Sequence, residues 1–154
     1  MPSTKQPNSH NCFVCGLNNP YGLRLEFFDN GVDQVWCEYV IPDYYQGYPG
    51  VAHGGVVAAI LDEICGRTAM IGDPDRFMMT AKMEVRYRSP VPVGRALRIT
   101  GYRTRRSGRI ARAHGELCLP GGDLAAEALL TLTDLPEQFR IDGSLDDLGW
   151  KVYD

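Results

Sequence analysis

The stretch "GYPGVAHGGVVAAILDEICG", residues 47–66, decides the fold. A loop of Gly and Pro leads through His53 and the pair Gly54–Gly55 into an almost wholly apolar run. Val56, Val57, Ala58, Ala59, Ile60, Leu61, Ile64 and Cys65 leave no polar stripe, as expected of a helix covered on most sides. The run predicts a helix over 54–70, stopped by "GDPD" at 72–75. Asp62 and Glu63 lie inside it, and an ionised group on a buried helix is costly.

Outward from this helix the chain reads as strands. Leu23–Phe28 and Val32–Val40 flank "DNG", a hairpin signal. After the helix come Phe77–Arg88, Ala96–Arg106, Arg109–Leu119 and Asp123–Leu132, with "RRSGR" and "LPGGD" as turns. Residues 1–11 read as a loose N-terminal tail and 134–154 as a polar C-terminal one. The order is two strands, one helix, four strands. That predicts a single α+β domain over 1–154, a six-stranded antiparallel sheet wrapped around one central helix.

Composition sets bounds. The chain has 154 residues, long enough for a real core, with 44% hydrophobic and 23% charged residues and a net charge of −3. Nothing in that balance points to nucleic acid. No uncharged apolar run is long enough for a membrane span, and the polar N-terminus has no signal-peptide core. The odd cysteine count, with no recurring spacing, points to reduced thiols and a cytoplasmic setting.

On a helical wheel Asp62 shares a face with Gly54 and Gly55, about two turns earlier, and with the small residues Ala58, Ala59, Cys65 and Gly66. That face offers a slot with a carboxylate at one end and unpaired first-turn N–H groups at the other. An oxyanion held by the Gly54 or Gly55 amide, with Asp62 nearby, suits attack on an acyl carbonyl. A salt-bridged surface acid explains the residue equally well on spacing alone. Glu63 points about 100° away and is expected to be structural.

The segments "HGGVVAAILDE" and "TAKMEVRYRSPVPVG", with "CFVCGLNNPYGLRLEF" before them, resemble the hotdog-fold acyl-CoA thioesterases. The likeness is to the phenylacetate-pathway-type and 4-hydroxybenzoyl-CoA thioesterase-like branches, and it covers roughly residues 12–133. It implies a homodimer or homotetramer that hydrolyses acyl-CoA to a free acid and CoA. It also implies active sites at the subunit interface. Asp62 would be nucleophile or general base, and the Gly54 amide, with Gly55 second, would polarise the thioester carbonyl. Thr80 would face the acid across the interface and orient water. Many relatives carry Asn or Gln about six residues before the His. Here that position is Gly47, and Gln46 beside it is the candidate thioester contact. His53 is expected to hold the loop or cap the helix rather than transfer protons. The alternative from another class is an acyl-CoA-binding module without turnover.

Arg105, Arg106 and Arg109 surround the Ser107–Gly108 turn, and Arg86 and Arg88 alternate along one strand face. All five are candidates for the phosphates of coenzyme A; a solvated charged surface is the other reading. Cys12-x2-Cys15, with His10 nearby, lacks the four ligands of a structural zinc. The expectation is no metal, no redox cofactor, and coenzyme A only as part of the substrate. Tyr residues in the 43–48 loop suit an aryl or medium-length acyl chain.

Overall fold

The computed structural model of the chain describes residues 2–139 and 145–154. Its elements are β1 (Thr4–Lys5), β2 (Phe28–Asp29), β3 (Gln34–Val40), α1 (Gly54–Arg67), β4 (Met78–Tyr87), β5 (Ala96–Ser107), β6 (Ile110–Cys118) and β7 (Leu124–Asp134). One antiparallel sheet takes all seven strands in the order β1-β2-β3-β5-β6-β7-β4. The helix packs against β3 through β7, the arrangement the sequence resemblance implies.

The helix forms where the apolar run predicts it, and a short 3-10 turn, Thr68–Met70, completes the expected span. Val57, Ile60, Leu61, Ile64 and Cys65 are buried against Ile99, Ala113, Leu117, Ala128 and Leu130 of the sheet. Each large aliphatic side chain so buried contributes roughly 1.5–3 kcal/mol. The close approach rests on two glycines paired across β5 and β6, Gly101 and Gly115. A Cβ on Gly101 would lie 2.6 Å from the Ile64 carbonyl oxygen, and one on Gly115 2.8 Å from Cys65 Sγ. The helix axis therefore runs directly over the place where the sheet has no side chains.

Three expectations need correction. Of Leu23–Phe28, only Phe28 enters the sheet, continuing to Asp29. Leu23, Leu25 and Phe27 are buried core residues without a ladder partner: the Leu23 and Leu25 N–H groups donate instead to the Phe13 and Val14 carbonyls, and the Phe27 carbonyl accepts the Gln6 N–H. The N-terminal segment is not loose: Thr4–Lys5 pair with Phe28–Asp29 as a seventh strand, and Gln6 and Asn8 are buried. Asn8 Nδ2 donates to the carbonyls of Cys15 and Leu25, and Gln6 Nε2 to Asp29 Oδ2 and the Arg67 carbonyl. Hydrogen bonds from the two amide nitrogens offset part of the desolvation of these side chains, while Gln6 Oε1 and Asn8 Oδ1 are buried without a partner among the described residues. The C-terminal segment also packs. Asn8 bridges to Lys151, Trp150 is buried, and its indole N–H donates to the Pro74 carbonyl. Residues 140–144 of that expected tail lie outside the described residues.

One irregularity positions the site. Between Thr80 and Lys82 the β4–β7 register slips by a bulge. In a regular strand, Thr80 and Tyr87, seven residues apart, would face opposite sides. The extra residue, Ala81, resets the alternation, so that Thr80 before it and Met83, Val85 and Tyr87 after it all face the helix.

Candidate active site

The start of α1 is capped by its own sequence. His53 is extended (φ −59°, ψ 134°) and its Nδ1 accepts the Gly55 N–H at 2.9 Å. The His53 carbonyl takes the Val56 and Val57 N–H groups at 3.0 and 3.2 Å. The Gly54 N–H is the first-turn donor that none of these acceptors takes, so Gly55 is committed and Gly54 is open among the described residues. Tyr87 Oη donates to the Gly54 carbonyl at 2.6 Å and so fixes the orientation of that peptide from β4. Tyr87 carried no sequence signal, because only the bulge turns it toward the helix.

Two turns further, Thr80 Oγ1 donates to Asp62 Oδ1 at 2.6 Å. Asp62 is half-buried, and its second oxygen, Oδ2, has no partner among the described residues. A hollow of about 190 Å³ opens beside this pair, with Gly66, Met70, Phe77 and Met78 among its walls. A second hollow of about 360 Å³ lies at the other end of the same helix–strand seam, with Gly54, Val57 and Tyr87 in its wall. The helix therefore runs antiparallel to β4: Asp62 meets Thr80 and Gly54 meets Tyr87.

This geometry amends the one-slot reading. Eight residues of helix at ~1.5 Å each separate Gly54 from Asp62 by about 12 Å. One carbonyl cannot be polarised at the first and attacked at the second within one chain. Thr80, expected to face the acid across an interface, reaches it within its own chain, because β4 returns alongside the helix straight after the 72–75 turn.

The remaining candidates are dispersed. Gln46 Oε1 accepts the Gly50 N–H at 3.1 Å, so its amide closes its own loop. Gly47 lies against His53, where a Cβ would come 3.4 Å from the His53 Cα. Tyr44 and Tyr48 are exposed and line neither hollow. Arg86 lies on the outer sheet face opposite Glu127, whereas Arg88 borders the hollow beside Gly54 and Tyr87, its Nε bonded to Glu127 at 3.0 Å. That partner holds the Glu127 carboxyl below its ordinary range. Arg105, Arg106 and Arg109 are exposed at the β5–β6 hairpin. Cross-strand register links Ile110 to Thr133 and Thr133 to Met79, so the hairpin lies at the Thr80 end of the sheet. Glu63 faces the N-terminal turn and bonds Arg67 Nε at 2.9 Å. A fifth of its side chain is accessible (21%), yet enclosure by the neighbouring turn raises its pKa against the opposing pull of Arg67.

A model of the thioesterase superfamily matches residues 49–126, just over half of the sequence, and this span holds the helix, Asp62, Thr80 and Tyr87. The chain belongs to the thioesterase superfamily. Mouse acyl-coenzyme A thioesterase THEM5 is 32% identical, over 61% of this chain and 46% of its own length. Rat acyl-coenzyme A thioesterase THEM4 is 29% identical, over 53% of this chain and 34% of its own. The chain thus spans less than half the length of these curated relatives. Among solved structures, the thioesterase superfamily protein RHA08564 superposes with a TM-score of 0.72 at 27% identity, covering 82% of this chain and 61% of that one. The smu.793 protein of Streptococcus mutans, bound to acetyl CoA, superposes at 0.65 and 18% identity, over 72% of this chain and 88% of its own, a likeness of fold alone. This member of the superfamily has the hotdog arrangement expected from its sequence. Among its described residues no helix is long and apolar enough to cross a membrane.

Proposed function

We propose that this chain is an acyl-CoA thioesterase whose catalytic carboxylate is Asp62 and whose active site is completed by a second copy of the chain. The observation that carries the reading is the 2.6 Å Thr80–Asp62 hydrogen bond at the mouth of a partly apolar hollow. A carboxylate with one oxygen held and the other open is a general base or nucleophile with its geometry preset. As base, Oδ2 takes a proton from water while the water oxygen bonds the acyl carbon. As nucleophile, it bonds that carbon itself, and water then cleaves the anhydride. Either way the C–S bond breaks, the sulfur leaves with its electron pair as thiolate, the proton given up by the attacking water makes it CoA thiol, and the acid is freed.

The 12 Å gap supplies the need for a partner. Strand β4 is ten residues long and, among the described strands, lies at an edge of the sheet with β7 as its one neighbour. An edge of that length invites pairing with another chain. Antiparallel pairing of two β4 strands about a two-fold axis sets the Tyr87 end of one against the Thr80 end of the other. Because α1 runs antiparallel to β4, this brings the Gly54 N–H of one chain toward the partner's Asp62. One thioester carbonyl then meets an amide donor from one chain and a carboxylate from the other. The exposed arginines Arg105, Arg106 and Arg109, at the Thr80 end, supply charge for the CoA phosphates. The setting is cytoplasmic, with no metal or redox cofactor needed for hydrolysis.

A panel of aryl-, medium- and long-chain acyl-CoA esters, assayed for released thiol and for binding, tests the reading. Turnover of at least one ester supports it. Binding without any turnover across the panel assigns the chain to the acyl-CoA-binding class instead.

A further inference from the structure

Cys12 Sγ, Cys15 Sγ and a carboxylate oxygen of Glu63 lie within 4.8 Å of one another. The sequence offered two neighbouring thiols and too few other ligands; the fold brings a third from the opposite side, out of α1. The two cysteines sit in a tight turn in which the Gly16 N–H donates to the Cys12 carbonyl at 2.8 Å and the Val14 N–H to Cys12 Sγ at 3.4 Å. A Cβ on Gly16 would lie 2.3 Å from the Cys12 carbonyl oxygen, so the turn requires glycine there. Glu63 Oε2 is 4.0 Å from Cys12 Sγ, while its Oε1 is held by Arg67. The Arg67 side chain is 1% exposed, stacks over Phe27 and Trp150, and donates from Nη1 to the Pro7 carbonyl at 2.5 Å. Its Nη2 is buried without a partner among the described residues.

We propose that Cys12, Cys15 and Glu63 form a binding site for one tetrahedral divalent cation of the zinc type, with water in the fourth position. Tetrahedral coordination at ~2.3 Å to sulfur and ~2.0–2.2 Å to oxygen sets ligand atoms about 3.5–3.8 Å apart, close to the spacing already present. Two thiolates and a carboxylate suit a borderline-soft ion and disfavour magnesium or calcium. Two thiolates and one carboxylate bring three negative charges; the ion and Arg67 bring three positive ones, so the enclosed cluster is neutral. Arg67, on the outer oxygen of Glu63, is a positioning residue that aims the other oxygen at the thiols. Cys12 is only half-buried and opens the route by which the ion enters and the two thiol protons leave.

Titration of the reduced full chain with Co²⁺, then with Zn²⁺, tests the site. The proposal expects one Co²⁺ per chain with thiolate-to-cobalt charge-transfer absorption, displaced by Zn²⁺. It also expects Zn²⁺ to hide two of the five thiols from a thiol reagent and to raise the melting temperature. Cys12→Ser or Cys15→Ser removes the absorption, Glu63→Gln weakens binding roughly tenfold or more, and Asp62→Asn leaves it unchanged. Folded, fully reduced wild type without charge-transfer absorption overturns the proposal, as does absorption that survives both cysteine substitutions. The wild-type titration and thiol count need no variant to fold. No readout is turnover, so failure here leaves the thioesterase reading standing.

Discussion

At the scale of single residues, Asp62 answers the difficulty that its sequence setting poses. It lies on an apolar helix yet is half-buried rather than sealed, and among the described residues its hydrogen bond comes from Thr80. Hydrogen bonds to a charged group are typically worth about 1.5–3 kcal/mol. Thr80→Ala should therefore lower kcat by roughly one to two orders of magnitude, while Thr80→Ser, which keeps the hydroxyl, should stay near wild type. Equal losses in both variants would assign Thr80 to packing. Asp62 was legible in the sequence because an acid in an unbroken apolar run is anomalous. Thr80 was legible only through family likeness, since a lone β-branched residue on a strand carries no signal of its own. Tyr87 was not legible at all. Its contact with Gly54 depends on a bulge at Ala81 that alternation alone cannot reveal.

At the scale of elements, the long helix and the four strands after it follow the apolar periodicity closely, because core burial decides both. The N-terminal segment escaped that reading for a physical reason. Gln6 and Asn8 are polar and would ordinarily mark a solvated tail, but both are buried, with four hydrogen bonds from their amide nitrogens offsetting part of the cost. The closeness of helix and sheet makes a sharper prediction. Gly101→Ala places a methyl 2.6 Å from a backbone oxygen that can move only with the helix. Overpacking of this kind costs about 1–3 kcal/mol. Denaturant unfolding should show that loss for Gly101→Ala and almost none for Gly121→Ala, where a Cβ meets nothing within 4 Å. Equal stability of the two variants would mean that the helix does not rest on the β5–β6 glycine pair.

At the scale of the whole molecule, the parts of the proposed site stand at opposite ends of one helix, and a lone chain cannot use them together. Light scattering at micromolar concentration should report at least a dimer, and Lys or Pro substitutions along the β4 edge should lower both mass and turnover. A fully active monomer of 17.1 kDa would contradict the two-chain site. The most direct test of the central claim is a kcat comparison of wild type with Asp62→Asn on a thioester that the wild type hydrolyses, with thermal melts showing both folded. Asn is nearly isosteric but can neither attack nor take a proton. Catalysis by Asp62 predicts a fall in kcat of ~10²–10⁴-fold or more, acyl-CoA binding retained, and Glu63→Gln close to wild type. A folded Asp62→Asn protein with full activity would contradict it.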